Sequence, residues 1–286
     1  MLDAVVTGAG GFIGRALCCR LANDGWKVQG FTTAHGDVRD AAFWEGLPAA
    51  RALVHLAARS FVPDSWKLPT AFVEANVLGT QLALDWCVKH NARIVFASAY
   101  VYGIPSRLPV LEYDPVLPNN PYALSKALAE QCVEFAACHS GVNATILRIF
   151  NVYGAGQREE FLVPTLIKQL HQHEIRVMDL APRRDYVYID DVVEAFVRAI
   201  ALTEGFHRFN IGSGCSHSVG ELIDILQSVA RTSLPVVSNA TVRCHEIPEV
   251  RADISLARDL LEWTPACDLE TGIRNTLRML KYDCKN

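Results

Sequence analysis

The chain alternates short apolar runs with longer segments in which apolar residues recur every three or four positions. Residues 2–6 form the first apolar run, and Ile13, Leu17 and Leu21 follow it at helical spacing. The same alternation predicts strands over 26–31, 52–58, 93–98 and 143–150, and helices over 68–89 and 121–139. Strands and helices in this order predict an α/β fold built on a doubly wound parallel sheet with helices on both faces.

A glycine-rich turn joins the first predicted strand to the first helix. Gly8, Gly11 and Gly14 stand three residues apart in it, which differs from the Gly-x-Gly-x-x-Gly spacing of many dinucleotide sites. Glycine lets a pyrophosphate approach the backbone closely, and a helix N-terminus offers free N–H groups and a positive dipole end. A purely structural turn is the alternative, and the strand–turn–helix context favours dinucleotide binding.

The end of the second predicted strand bears on the choice of cofactor. An acidic residue there would hydrogen-bond the adenosine ribose of NAD, but Thr32 and Thr33 occupy the position. No Lys or Arg lies within 32–36 to bind the 2′-phosphate of NADP, and the first acid is Asp37. The sequence therefore favours NAD and leaves NADP open.

The segment around Tyr122 carries the candidate acid–base chemistry. Pro121 suits the first position of a helix, and Asn119 or Asn120 precedes it as a candidate N-cap. Tyr122 and Lys126 would then lie one turn apart on one helical face, where the ammonium would lower the pKa of the phenol. An ordinary surface Tyr–Lys pair is the alternative.

Two predicted strands end in residues suited to a ligand site. Ser98 closes the strand over 93–98, at the edge of a parallel sheet where ligands collect, although a turn serine is the alternative. Ala57 and Ala58 end another strand and are small enough for a ligand to approach the backbone. His55, in that same strand, is expected to be a packed histidine.

The regular alternation loosens from about residue 151. Asp190 and Asp191 precede an apolar run and are expected to cap its helix, and Ser218 and Glu221 have the spacing of a capping box. We therefore expect two units. These are an NAD(P)-binding Rossmann domain over 1–150, joined by parts of 185–213, and mainly a smaller α/β substrate-binding lobe over 151–286.

The overall composition narrows the partners and the compartment. Half of the 286 residues are hydrophobic and the formal net charge is −4, so the chain can build a large core and has no basic field for nucleic acid. No apolar run approaches the ~18 residues of a membrane span, and the N-terminus lacks a signal-peptide pattern. The nine cysteines include no Cys-x-x-Cys pair, which predicts reduced thiols, no metal site and a cytoplasmic protein.

Taken in order, these motifs resemble the extended short-chain dehydrogenase/reductases, in the NAD-dependent nucleotide-sugar epimerase/dehydratase family of the UDP-glucose 4-epimerase type. The resemblance covers essentially the whole chain, and the ordered set is more specific than any single motif. The matching segments are TGAGGFIG at 7–14, HLAA at 55–58, NVLGT at 76–80, SAYVYG at 98–103, YALSK at 122–126, RIFNVYG at 148–154, RDYVYIDD at 184–191, NIGSG at 210–214, RADIS at 251–255 and LEWTP at 261–265.

The resemblance implies roles for individual residues. Tyr122 would be the acid–base residue, Lys126 would hold the nicotinamide ribose, and Ser98 would hydrogen-bond the reacting sugar hydroxyl. The implied ligands of the substrate's nucleoside diphosphate are Asn151, Arg184 and Arg251, with surface ion pairs as the alternative for the two arginines. The implied cofactor contacts are Gly8, Gly11, Phe12, Ile13, Gly14, Asp37, Val38, Leu56, Ala57, Ala58, Tyr122 and Lys126.

The resemblance also implies an activity and an assembly. We expect an NAD(P)-dependent 4-epimerase of a nucleoside-diphosphate hexose that works by transient hydride transfer, and a homodimer built on the helices at 68–89 and 121–139. A reductase of a nucleotide-linked 4-keto-6-deoxy sugar is the alternative, favoured by residues 60–66, and a non-catalytic dinucleotide sensor is a remote one. Ala99 and Tyr100 stand where a 4,6-dehydratase would carry an Asp–Glu pair, which disfavours that elimination.

Overall fold

The computed structural model describes residues 1–202, 204–240 and 246–282, which form twelve strands and eleven α-helices. The strands are β1 Leu2–Thr7, β2 Val28–Phe31, β3 Ala50–His55, β4 Arg93–Ala99, β5 Ala144–Ile149, β6 Asn151–Tyr153, β7 Ile175–Val177, β8 Arg183–Arg184, β9 Tyr186–Tyr188, β10 Phe206–Ile211, β11 His217–Ser218 and β12 Val236–Ser238. The helices are α1 Phe12–Asn23, α2 Ala41–Glu45, α3 Val62–Lys67, α4 Pro69–Val73, α5 Gly79–His90, α6 Pro121–His139, α7 Leu162–Gln169, α8 Ile189–Ala201, α9 Val219–Ala230, α10 Ser255–Leu260 and α11 Leu269–Met279.

Six strands form one parallel sheet in the order β10-β5-β4-β3-β1-β2. The chain starts in β1, moves outward to β2, and then crosses back to build the other half from β3 onward. Strand order therefore reverses between β1 and β3, which is where ligands bind in open α/β sheets. The predicted doubly wound parallel sheet is confirmed.

The side chains of the sheet alternate between two cores, because successive residues of a strand point to opposite faces. On one face Val6 and Leu147 pack with Leu17 of α1 and with the inner side of α8. On the other face Val5 and Phe96 pack with residues of α5 and α6. This layering holds α6 against β4, and that contact positions the candidate site.

The helices next to the site follow the prediction in part. Asn120 caps α6 by accepting a hydrogen bond from the N–H of Ala123 at 2.9 Å, and Pro121 is the first helical residue. The helix predicted over 68–89 is instead α4, a π-helical segment Glu74–Leu78, and α5 in succession. A π turn carries one residue more than an α turn, and such segments are frequent at functional sites.

Asp190 and Asp191 do not cap α8, so that prediction was wrong. The helix begins after Tyr188 without a side-chain cap. Asp191 is buried, and its carboxylate accepts hydrogen bonds from the N–H groups of Ala266 and Cys267 at 2.9 and 3.2 Å. The carboxylate of Asp191 therefore links residues 266–267 to α8 by hydrogen bonds. The capping box of Ser218 and Glu221, by contrast, is present at the start of α9 as predicted.

The chain beyond β5 adds three two-stranded sheets, β6–β9, β8–β11 and β7–β12. One segment of this part returns to the connection between β4 and α6. Val110 N–H donates to the carbonyl of Arg251, and Asp253 N–H donates to the carbonyl of Val110, both at 2.8 Å. Residues 250–253 thus lie against the connection between β4 and α6. Across the described ranges, no helix has the length and apolar character needed to cross a bilayer.

Candidate active site

The glycine turn packs too closely for a side chain at Gly8 or at Gly14. Gly8 has a φ of +71°, and a Cβ on it would lie 2.6 Å from the backbone nitrogen of Ala57. A Cβ on Gly14 would lie 2.2 Å from the carbonyl oxygen of Gly8. The turn therefore brings the start of α1 against the end of β3, as the strand order requires.

The open end of α1 fits a pyrophosphate. Gly11 is the N-cap residue and has no side chain to accept from the first-turn N–H groups of Phe12 and Ile13. Gly11 is exposed, and its backbone N–H is turned back to the carbonyl of Gly8 at 2.9 Å. Uncapped N–H groups together with the positive end of a helix dipole suit an anion.

The loop after β2 lies beside this turn. The side chain of Thr32 lies beside Gly10, where an added Cβ would be 3.1 Å from the Thr32 Cγ2, and the N–H of Thr32 donates to Nδ1 of His35 at 3.1 Å. Asp37 is bound by Arg39 through two nitrogens, at 3.0 and 2.6 Å, and the guanidinium lowers the pKa of the Asp37 carboxyl. Arg39 also donates to Glu74 at 3.0 Å. The carboxylates of Asp37 and Glu74 therefore neutralise the guanidinium of Arg39.

Val38 and the residues after β3 form the apolar part of this surface. The Val38 side chain lies against Gly79 at the start of α5, where an added Cβ would be 3.0 Å from its Cγ2. Leu56 N–H donates to the carbonyl of Thr7 at 3.2 Å, so 56–58 leave the sheet directly beside the end of β1. Ala57 is half-buried and Ala58 exposed, which leaves their backbone open to a ligand.

His55 is a packed strand-end residue, as expected. It is 1% exposed, its Nδ1 lies 2.8 Å from the hydroxyl of Thr7, and its ring stacks on Phe96. Burial, with a smaller effect of the nearby Lys126 charge, lowers the pKa of His55 to about 3. The ring is therefore neutral at neutral pH and is not placed to act on a substrate.

Tyr122 and Lys126 occupy the first two turns of α6. The Lys126 ammonium lies 4.1 Å from the centre of the Phe96 ring of β4, and the Tyr122 ring packs edge-on against Phe72. Burial lowers the pKa of Lys126 to about 7 and raises the pKa of Tyr122 to about 12. The predicted lowering of the pKa of Tyr122 by Lys126 is therefore wrong for this structure, because the loss of water around the phenol has the larger effect.

Ser98 is the penultimate residue of β4 and is joined to two residues that the sequence did not single out. Its Oγ donates to Oε1 of Glu130 on α6 at 2.5 Å, and Arg148 of β5 donates to both oxygens of that carboxylate. Both signals were present in the sequence. Glu130 lies one turn after Lys126, and Arg148 interrupts an otherwise apolar strand.

The three implied substrate ligands have different surroundings. Asn151 donates to the carbonyl of Asp185 at 3.2 Å, while Arg184 forms an ion pair with Glu246 and donates to the carbonyl of Ile247 at 2.7 Å. Arg251 is half-buried, and its Nε has no hydrogen-bond partner within the described residues. It lines an open cavity of about 390 Å³ whose other lining residues are Pro109, Ser213, Gly214, Ala252, Asp253, Ile254, Ser255 and Arg258.

The glycine turn lies at the reversal of strand order, Ser98 lies at the end of β4, and Lys126, one turn after Tyr122, packs on Phe96 of the same strand. Such an arrangement is typical of dinucleotide-dependent oxidoreductases of the short-chain type. The chain belongs to the NAD dependent epimerase/dehydratase family, whose family model matches residues 4–212. This confirms the resemblance seen in the sequence motifs.

Individual relatives point to two activities. The chain is 31% identical to a putative UDP-glucose 4-epimerase of Methanocaldococcus jannaschii, over 97% of this chain and 98% of that protein. It is 28% identical to the GDP-6-deoxy-D-mannose reductase of Pseudomonas aeruginosa, over 95% of both. Among solved structures, the UDP-glucose 4-epimerase of Brucella ovis in complex with NAD superposes with a TM-score of 0.92 at 27% identity, over 100% of both chains.

Proposed function

We propose that the protein is an NAD(P)-dependent nucleotide-sugar epimerase that acts at C4 of a nucleoside-diphosphate hexose. The observation that carries this proposal is the placing of Ser98, Tyr122 and Lys126 near the sheet edge that also holds the glycine turn. Similarity to a putative UDP-glucose 4-epimerase over nearly the whole chain supports the substrate class. In this proposal 1–150 with parts of 185–213 bind the cofactor, and 151–286 mainly bind the sugar nucleotide.

The glycine turn and the start of α1 fit a dinucleotide. Its pyrophosphate would accept from the free N–H groups at the start of α1, beside Gly8, Gly11 and Gly14, where no side chain intrudes. Bound in its oxidised form, NAD would supply a hydride acceptor and a positive charge. Val38 and the small residues Ala57 and Ala58 would flank it.

Tyr122 would move the proton of the reacting sugar hydroxyl. With a pKa of about 12 the phenol is a proton donor at neutral pH, so positive charge must lower that pKa before Tyr122 accepts a proton. The positive charge of oxidised NAD would contribute to this lowering, and Lys126 would hold the nicotinamide ribose. Ser98 would hydrogen-bond the same sugar oxygen and fix its direction.

Cations beyond the sheet edge suit the diphosphate of the substrate. Arg184 would exchange its ion pair with Glu246 for the phosphates, because a guanidinium fork matches both kinds of oxyanion. Arg251 faces an open cavity with an unpaired Nε and would add a second donor. Asn151 would contribute an amide hydrogen bond.

A reductase of a nucleotide-linked 4-keto-6-deoxy sugar is the second candidate. The neutral phenol of Tyr122 favours it, because a reductase needs only to donate a proton to the carbonyl oxygen. Similarity to a GDP-6-deoxy-D-mannose reductase supports it as well. The two candidates differ in the fate of the cofactor, which an epimerase keeps and a reductase consumes.

The deciding experiment supplies no cofactor. Purified protein is incubated with a panel of UDP- and GDP-hexoses, and the configuration at C4 is read by NMR. We expect tightly held NAD in the preparation and interconversion of one C4-epimeric pair. If no pair interconverts but a 4-keto-6-deoxy sugar nucleotide is reduced with stoichiometric NAD(P)H, the reductase is correct. If the protein binds dinucleotide and turns over neither class, it is a sensor.

We also propose a cytoplasmic homodimer. Every cysteine within the described ranges is a free thiol, which suits a reducing compartment. The outer faces of α5 and α6 carry Val88 and Phe135, which are 51% and 65% exposed, with Leu78 and Leu124 nearby in sequence. Burying these apolar side chains between two copies of the chain would form a four-helix interface.

A further inference from the structure

A buried polar network lies directly behind Ser98. Its Oγ donates to Oε1 of Glu130 over 2.5 Å, and Arg148 donates to the two oxygens of that carboxylate at 2.6–3.1 Å. Arg148 also donates to the hydroxyl of Tyr102 at 2.8 Å and to the carbonyl of Glu112 at 2.9 Å. The side chains of Glu130 and Arg148 are 4% and 1% exposed, so water does not compete for these bonds.

The direction of the Ser98 bond follows from the charge of its partner. A carboxylate bound by a guanidinium can only accept, so Ser98 gives its hydrogen to Glu130. The hydroxyl is then fixed in one orientation, and its lone pairs remain to accept from a group at the sheet edge. A free serine hydroxyl would rotate among several orientations and lose part of this preference.

Stability alone does not account for a carboxylate at this position. A buried ion pair is expensive to desolvate, and apolar residues of similar volume often stabilise a core equally well. Glu130 also lies one turn after Lys126 on α6, and its negative charge raises the pKa of Lys126, against the larger lowering by burial. One carboxylate thus acts on two of the three predicted catalytic side chains.

We propose that Glu130, fixed by Arg148, is a positioning residue that takes the hydrogen of Ser98 and so turns a lone pair of the Ser98 Oγ towards the reacting hydroxyl of the substrate. The inference rests on the proposed hydride-transfer function. In this inference Ser98 would contact the substrate, and Glu130 would act chiefly through Ser98, because its effect on the pKa of Lys126 is smaller than that of burial. Its effect on turnover therefore depends on the presence of the serine hydroxyl.

A double-mutant cycle between Glu130→Gln and Ser98→Ala tests this dependence. The amide has one acceptor oxygen where the carboxylate has two, so it serves Arg148 and Ser98 less well. We expect Glu130→Gln to lower kcat roughly 10–100-fold, the effect of losing a hydrogen bond to a charged group, with KM changed by less than about threefold. In the Ser98→Ala background the same substitution should have little further effect.

Two further variants separate positioning from folding. Glu134→Gln is the matched control, because Glu134 lies one turn further along α6 and pairs with Arg208 at 2.8 Å instead of with Ser98. It should keep wild-type kcat. The paired change Glu130→Leu with Arg148→Met removes both charges of the buried pair, and Arg208, whose Nε lies 3.7 Å from Oε2 of Glu130, keeps Glu134 as its partner. This variant should fold, as checked by thermal melting, yet it should be as slow as Glu130→Gln.

The assays use the first sugar nucleotide of the UDP- and GDP-hexose panel that the wild-type protein turns over. If Glu130→Gln and Ser98→Ala each lower kcat by a factor that is unchanged in the presence of the other, the inference is overturned and the proposed function stands. Wild-type kcat in the folded variant that combines Glu130→Leu with Arg148→Met would do the same. A wild-type protein that turns over no sugar nucleotide would overturn the proposed function, and this inference with it.

Discussion

Tyr122 stands at the start of α6 in surroundings that hold its phenol neutral, with a pKa of about 12. Replacing it by phenylalanine keeps the ring contact with Phe72 and removes only the titrating hydroxyl. We expect Tyr122→Phe to lower kcat by roughly 10²–10⁴-fold, the usual contribution of general acid–base catalysis, while NAD binding is retained. Steady-state kinetics and a cofactor titration measure the two effects.

The exposed Tyr113 is the matched control for that substitution. Tyr113→Phe should leave both quantities unchanged. A kcat for Tyr122→Phe within about threefold of wild type would remove Tyr122 from the proposed mechanism.

His55 makes folding stability depend on pH. Its pKa is about 3 in the folded protein against about 6.5 in an unfolded chain, so the unfolded state binds more protons between these values. Stability from this group is therefore complete above pH 6.5 and is lost as the pH falls towards 3, by about 3 kcal/mol at pH 4. His55→Gln removes the titration, so its melting temperature should fall less steeply on acidification than that of the wild type.

Calorimetry between pH 7.5 and 4.5 measures this difference. His173, which is exposed, supplies the control, and His173→Gln should follow the wild-type curve. If the melting temperatures of His55→Gln and the wild type fall equally with pH, protonation of His55 does not cause the loss of stability in acid.

At this scale the sequence predicted positions better than surroundings. The place of Ser98 at the end of β4, and of Tyr122 and Lys126 one turn apart on α6, could be predicted from apolar spacing and helix-start signals. The direction of the Tyr122 pKa could not, because it depends on how much water the folded chain removes from the phenol. The partnership of Ser98 with Glu130 and Arg148 joins three elements and is set by packing.

In the proposed function, the loop after β2 would contact the adenosine ribose of the cofactor. Thr32 carries no charge to repel a 2′-phosphate, and Arg39 is already paired with Asp37 and Glu74. We therefore expect weak discrimination, with NAD bound slightly more tightly than NADP in a fluorescence titration. A preference for NADP above about a hundredfold would contradict this account of the loop.

Releasing Arg39 from one carboxylate tests the same loop. Glu74→Gln should increase NADP affinity by roughly two- to tenfold, since it removes one competitor of the phosphate. Glu45→Gln removes an exposed carboxylate of the neighbouring helix α2 and should have no effect.

The outer faces of α5 and α6 bear on assembly. Phe135 lies three turns after Leu124 on one side of α6, and both are exposed in the single chain. We expect a homodimer at micromolar concentration, and Phe135→Asp should shift it to monomer because it places a charge in an apolar interface. Sedimentation velocity measures the change.

Leu260 on α10 is similarly exposed but lies outside these helices, so Leu260→Asp should leave the assembly intact. A wild-type protein that sediments as a monomer would contradict the proposal directly.

Element boundaries show where local pattern loses its predictive value. The cap of α6 and the capping box of α9 depend on residues adjacent in sequence, and both were predicted correctly. The role of Asp191 was not predicted correctly, because its partners are the N–H groups of Ala266 and Cys267, which lie about 75 residues later in the chain. The π-helical segment Glu74–Leu78 was also missed, since apolar spacing does not resolve one extra residue in a turn.

For the whole molecule, the α/β architecture was predictable because parallel strands and their crossover helices each leave a local pattern. The contact between 250–253 and the β4–α6 connection left no such pattern, because it joins Val110 to residues about 140 positions later in the chain. The ion pair of Arg184 with Glu246 was foreseen only as a type of contact, without its partner.

The sixth strand of the main sheet, β10, comes from Phe206–Ile211 and pairs with β5, which ends at Ile149. During synthesis on the ribosome about 60 residues must therefore be added before the open edge of β5 meets its neighbour. At about 5–20 residues per second this edge stays unpaired for roughly 3–12 s. An unpaired strand edge is a template for aggregation, so the nascent chain passes through a period in which a chaperone has an apolar strand to bind. A chain cut after residue 150 would remain in that state permanently.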